Sequence, residues 1–199
     1  MGYVGLNPQS YLDYQGAGSQ PTAGLELVDS NVDFTGESTI EFSIPANGYD
    51  SYEFYFVNLH PANDGVGLMF QVDEAGGSSF NKSIVSTMFV ATFAEASGSD
   101  DLDYNSADQA AGTGYPLLNF NTGNDNDQSC SGVLTLFGPS STTYVKHFTY
   151  NGVTNAETNL VHHHHIAGYV NETTAIGEIT FKFSSGNIDA GSIYMYGVK

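Results

Sequence analysis

The chain has 199 residues, enough for one domain with a substantial core and few for two. Its four lysines, without any arginine, stand against 22 aspartates and glutamates. The formal net charge of −18 argues against partners that are themselves anionic, such as nucleic acids and membrane surfaces. The single cysteine, Cys130, excludes an internal disulfide and a cysteine cluster for zinc.

The opening residues, MGYVGLNPQSYLDYQG, lack the basic start and apolar run of a secretory signal. No stretch approaches the roughly 20 apolar residues of a membrane span, so we expect a soluble protein made in a cytoplasm. Residues 1–24 contain five glycines and two prolines without sustained periodicity, which predicts an extended N-terminal arm. Either a neighbouring subunit or the protein's own domain, residues 25–199, would hold such an arm in place.

From residue 25 onward the composition and the patterning indicate β-strands. The 13 tyrosines and 13 phenylalanines suit a pleated surface, and the 23 glycines suit tight turns. In STIEFSI (38–44), Ile40, Phe42 and Ile44 alternate with polar residues, which is typical of a half-buried strand. Strands are predicted at 38–44, 52–59, 66–73, 84–94, 116–121, 132–138, 143–150, 176–183 and 191–198.

The segments between these strands differ from them in composition. Residues 95–114 are small, acidic and polar and predict a long loop, and residues 151–172 predict irregular structure. About nine or ten closely spaced strands without an amphipathic helix predict an all-β fold. The expected architecture is an antiparallel β-sandwich, and the jelly roll is its commonest form for this number of strands. The last strand, apolar almost to the C-terminus, should lie inside a sheet.

The final residues, AIGEITFKFSSGNIDAGSIYMYGVK (175–199), combine an I-x-x-I-x-F strand, a turn and a G-x-I-x-x-Y-G ending. This stretch resembles the C-terminal hairpin of β-sandwich virion proteins of tailed bacteriophages. The segment 44–73, with its turn, aromatic strand and proline-containing loop, is similar to the same proteins, and the opening MGYVG-x-x-P resembles the start of some phage tail-fibre chains.

The resemblance implies a role in the virion: a capsid decoration protein, an appendage or a short tail fibre. It implies self-association, with a homotrimer as the expected form, and docking on other virion proteins. The family supplies no catalytic residues. The chain lacks the repetitive shaft of a full-length fibre, which favours the shorter kinds of virion component.

Four consecutive histidines, 162–165, are the most conspicuous local feature of the sequence. In an extended strand, His162 and His164 would share one face, within reach of one transition-metal ion. The simpler interpretation is an exposed loop without a metal.

Two acidic stretches could bind calcium through oxygen ligands. Asp101 and Asp103 have the alternating spacing of a calcium loop, but the glycine and glutamate that an EF-hand requires further on are missing. Asp125 and Asp127 repeat the same spacing in NDNDQS (124–129). Polar surface loops are the simpler interpretation of both stretches.

Nothing in the sequence marks a catalytic centre, and we expect a protein that is not an enzyme. There is no G-x-S-x-G motif, and Cys130 beside a strand is typical of a small buried hydrophobe. The main alternative is a carbohydrate-binding, receptor-binding jelly roll, with or without a dependence on calcium, in which tyrosines stack on sugars: Tyr52, Tyr55, Tyr194 and Tyr196. A third alternative, a polysaccharide-degrading enzyme, has only the general abundance of carboxylates in its favour.

Overall fold

The structure is a computed structural model that describes residues 24–32, 35–46, 48–96, 98 and 100–199. Residues 1–23, nearly all of the predicted arm, lie outside the described residues, and the division into arm and domain stays a prediction. Within the described residues the chain forms twelve strands and no helix. The strands are β1 (Leu25–Val32), β2 (Ile40–Ser43), β3 (Ser51–Pro61), β4 (Leu68–Glu74), β5 (Ile84–Ala94), β6 (Asp100–Tyr104), β7 (Ala110–Gly112), β8 (Cys130–Phe137), β9 (Lys146–Asn155), β10 (Leu160–Val170), β11 (Ile176–Phe183) and β12 (Ile188–Val198).

The strands form two antiparallel sheets of unequal size. The large sheet has nine strands in the order β1-β12-β3-β8-β9-β10-β5-β6, with β7 also paired to β5. The small sheet has three strands in the order β2-β11-β4. The predicted all-β, antiparallel fold is confirmed. The jelly-roll form stays a prediction, because sheets of nine and three strands do not establish its two Greek keys.

Aromatic side chains form the core between the two sheets. Along β3, every second residue points inward, and Phe54 and Phe56 are buried against Phe181 of β11 at ring-centroid distances of 5.3 and 5.0 Å. Phe70 of β4 meets Phe148 of β9 edge to face at 5.0 Å. Burying a side chain of this size stabilises the fold by about 1.5–3 kcal/mol, so these contacts fix the small sheet on the middle of the large one.

Several sequence-based boundaries are wrong. The predicted loop 95–114 contains β6 and β7, and the predicted irregular segment 151–172 contains the end of β9 and all of β10. The segment 116–121 is not a strand, since its only ladder contact is one bridge from Leu117 to Met69. The C-terminal pair is not a hairpin either, because β11 belongs to the small sheet and β12 to the large sheet. The last strand does lie inside a sheet, between β1 and β3.

Candidate functional site

The two faces of the large sheet differ in character. One face packs against the small sheet, and the other, which we call the open face, carries large apolar side chains that are 43% to 69% exposed. Strand register assigns these side chains to one surface, since opposed residues point to the same side. They are Leu25, Leu27, Val32, Val57, Phe89, Phe93, Leu102, Tyr104, Phe137, Val153 and Val161.

The open face is also poor in charge. Among the described residues of its strands, this side carries no lysine and three carboxylates, Glu53, Asp100 and Asp189, the last of which contacts the outward-pointing His60. Further carboxylates lie at its rim: Glu95, Asp108 and Asp127. Lys146 is in the large sheet, but it is fully buried on the opposite side. In a chain with a net charge of −18, the acidic groups are therefore concentrated elsewhere.

One end of the open face holds a tyrosine groove. Tyr55 and Tyr196 meet edge to face at 5.3 Å, and the Tyr55 hydroxyl donates a 2.9 Å hydrogen bond to Glu53. The groove has a volume of about 380 Å³ and is lined by Leu25, Tyr55, Val57, Tyr194 and Tyr196. Tyr52, which the sequence grouped with these tyrosines, points the other way into the core and donates to the carbonyl oxygen of Pro45 at 3.2 Å.

The four histidines lie on β10, between β9 and β5, and alternate between the two faces of the sheet. His162 and His164 point inward and are 5% and 0% exposed, and their ring centroids are 5.8 Å apart. On the open face, His163 forms a 2.7 Å hydrogen bond with Asn151, and His165 stacks on an aromatic ring of β5. The predicted shared face of His162 and His164 is thus present, although it is the buried one.

The inner pair has few polar partners. His162 Nδ1 lies 2.9 Å from the hydroxyl of Thr92, whereas His162 Nε2 and both ring nitrogens of His164 have no hydrogen-bond partner. Burial lowers the pKa of both imidazoles, and the neighbouring histidines lower that of His164 further, to about 3. Both rings are therefore neutral near pH 7.

The acidic candidates are in two separate places. Asp101 and Asp103 lie on the exposed edge strand β6, where the hydrogen bond and charge of Asp101 raise the pKa of Asp103. Asp125 and Asp127 lie in the turn before β8, and Asp127 lines a surface depression of about 510 Å³. Within the described ranges, no three histidine, cysteine or acidic side chains come together to hold a metal ion. The calcium and metal assignments stay predictions.

Cys130 and His60 belong to residue types that often act in catalysis, but here both have structural roles. Burial raises the pKa of the Cys130 thiol to about 12, so it is not a thiolate at neutral pH. His60 Nδ1 lies 2.6 Å from Asp189, but Nε2 lies 3.2 Å from the carbonyl oxygen of Asp125. With both nitrogens engaged, His60 links the turn to β12 and offers no free nitrogen to a substrate. Sequence reasoning missed this dyad because its members are 129 positions apart.

Comparison of the chain with protein-family models, with curated proteins and with solved structures finds no match. Among the residues described, no helix has the length and apolar character needed to cross a membrane.

Proposed function

We propose that this protein is a non-enzymatic structural component that assembles with copies of itself through the open face, as a decoration protein or appendage of a tailed-phage virion. The observation that carries the proposal is the row of large apolar side chains exposed along one face of the large sheet. These side chains gather in two places, Leu25 and Val57 beside the groove tyrosines and Phe93 beside Val153 and Val161, and exposed apolar patches of this kind are typical of protein–protein interfaces.

The charge distribution favours a second copy of the same chain as the partner. Two chains of charge −18 repel one another, and the repulsion is smallest where the facing surfaces carry the fewest carboxylates. The open face, with no lysine and three carboxylates on its described strands, is such a surface. The virion setting is supported by the resemblance of residues 44–73 and 175–199 to phage β-sandwich proteins.

The test is the native mass of the full chain over a concentration series, measured by sedimentation velocity with and without EDTA. A dimer, a trimer or a larger closed oligomer is expected. Phe93→Asp places a charge on the open face, where Phe93 is 54% exposed, and should weaken association at least tenfold. Thr39→Asp adds the same charge at an exposed position just before β2 and should leave association unchanged.

A strict monomer at the highest concentration would contradict assembly through the open face, as would equal effects of the two variants. The virion role needs its own measurement. Peptides of this chain should be found, at a fixed stoichiometry, in tailed-phage particles purified from a culture that carries its coding sequence. Their absence from intact particles would overturn the virion assignment and leave self-association standing.

The tyrosine groove supports a second candidate function, carbohydrate binding. Tyrosine rings beside a carboxylate, as at Tyr55, Tyr196 and Glu53, offer a stacking surface and a hydrogen-bond acceptor to a sugar. Asp101 and Asp103 on β6 lie six strand positions from β12, about 30 Å at ~4.8 Å per strand, and so could not share a calcium ion with this groove.

A glycan array is the test: binding should be lost in Tyr196→Ala and kept in Tyr104→Ala at the far edge of the sheet.

A further inference from the structure

The inner histidine pair lies in the core, on the side of β10 that faces away from the open face. His162 and His164 project from β10 to the same side, and the ring of Phe120 packs against both, with centroid distances of 5.0 and 4.8 Å. His164 has no exposed surface, and His162 is 5% exposed. Buried imidazoles in proteins are normally hydrogen-bonded, so two rings with three unpaired nitrogens require an explanation.

The hydrogen bonding leaves these nitrogens available as ligands. When His162 donates its Nδ1 proton to the hydroxyl of Thr92, the lone pair on Nε2 is free. Histidines that bind metal ions have this arrangement, in which one ring nitrogen donates to a protein group and the other binds the ion. Both nitrogens of His164 lack a partner, so either can supply a lone pair.

The spacing suits one shared ion. With nitrogen–metal distances of about 2.0–2.1 Å, two rings that bind one ion have centroids about 6.4 Å apart when the nitrogen–metal–nitrogen line is straight and closer when it is bent. The rings of His162 and His164, 5.8 Å apart, fit a bent arrangement. A structural zinc site needs four ligands, but among the described residues no third histidine, cysteine or carboxylate joins the pair.

Two nitrogen ligands and a buried position together favour one kind of metal ion. Imidazole nitrogen suits zinc, copper, iron and nickel, and among these cuprous copper is the ion that is stable with only two ligands. Its single positive charge is also easier to bury than that of a divalent ion, because the cost of desolvation rises with charge. We propose that His162 and His164 form a buried, two-coordinate site for one cuprous ion.

The test uses the full chain under anaerobic conditions, with cuprous ion supplied by ascorbate-reduced copper and titrated against the chromogenic chelator bicinchoninate. One ion per chain is expected. His164→Phe keeps an aromatic ring in the core and should weaken binding at least 100-fold. The paired control, His163→Gln with His165→Gln, removes the open-face imidazoles and should change the affinity by less than threefold.

A measurement on the wild type guards against misfolding of the variant. In protein labelled with ¹⁵N-histidine, one equivalent of cuprous ion should shift the ring-nitrogen resonances of His162 and His164 and leave those of His163 and His165 in place. The proposal is overturned if the chelator removes all copper at one equivalent. It is equally overturned if the shifts fall on His163 and His165, or if the control variant is the one that loses binding.

Discussion

Buried polar side chains in this protein fall into two groups, and the difference is informative. Lys146 is fully buried, but its ammonium donates to the carbonyl oxygens of Tyr144, Glu172 and Thr174 at 2.7–3.2 Å. Every proton of that group has an acceptor, so Lys146 is fully explained as a tie between two loops. His164 is equally buried and has none. This contrast is why the histidines, rather than the lysine, indicate a ligand site.

At the residue scale, His60 should make stability depend on pH. Burial lowers its pKa, but the hydrogen bond and charge of Asp189 and the carbonyl oxygen of Asp125 outweigh burial and raise the pKa above the usual value of 6.5. A raised folded-state pKa gives stability that is fully present below pH 6.5 and is lost as pH rises through the folded-state value. The effect should stay below about 1 kcal/mol, because Asp189 is partly exposed and solvent screens the pair.

The measurement is the urea unfolding midpoint at pH 6 and pH 8 for the wild type, Asp189→Asn and His60→Gln. The wild type should lose more stability over this range than either variant, and the two variants should behave alike. The lowered pKa values of His162 and His164 act in the opposite direction, but they do so in all three proteins and cancel in the comparison. Identical pH dependence in all three would show that the His60–Asp189 contact does not stabilise the fold.

At the scale of the element, the sequence predicts strands well where apolar residues alternate or run continuously. The bounds predicted for β5 and β11 agree with the structure, and those of β3, β8 and β12 differ by a few residues. β10 is missed because its four histidines and a glycine have no strong strand preference. Its existence depends on pairing with β9 and β5 on both sides, which is a tertiary effect.

The candidate sites also depend on tertiary packing that the local sequence does not predict. Because side chains alternate along a strand, the sequence predicts that His162 and His164 lie on one face of their strand. It predicts in the same way that Tyr194 and Tyr196 lie on one face of theirs. Which face is buried depends on where the small sheet packs, and no local pattern contains that information. For this reason the histidine pair, expected in an exposed loop, lies in the core, and Tyr52 separates from the other tyrosines.

Gly168 illustrates how β10 depends on its neighbours. A Cβ at this position would overlap the carbonyl oxygen of Val85 on β5 and lie 2.7 Å from the ring of Phe148 on β9. Because the backbone atom cannot move without breaking the ladder, Gly168→Ala should destabilise the protein by about 1–3 kcal/mol. The urea midpoint measured by circular dichroism checks this. Gly24→Ala, whose added Cβ would have no atom of a described residue within 4 Å, is the matched control, and equal midpoints for the two variants would contradict the packing argument.

At the scale of the whole molecule, charge and apolar surface are separated. The 22 acidic residues keep chains apart in most orientations, whereas the open face offers apolar contact with few carboxylates. Such an arrangement limits indiscriminate aggregation and leaves one orientation in which copies can meet. The protein's shape thus favours ordered assembly, which is the property that a lattice or appendage component needs.

This separation predicts how salt acts on assembly. Salt shortens the screening length from about 10 Å at 0.1 M to about 3 Å at 1 M, which weakens repulsion between chains of charge −18 and leaves apolar contacts intact. The dissociation constant of the oligomer, measured by sedimentation velocity, should therefore fall at least threefold between 0.1 and 1 M sodium chloride. Phe93→Asp should be more sensitive to salt than the wild type, since it adds a carboxylate to the open face itself. A dissociation constant that rises with salt would mean that ion pairs hold the copies together, and the open face, with no lysine on its described strands, could not then be the interface.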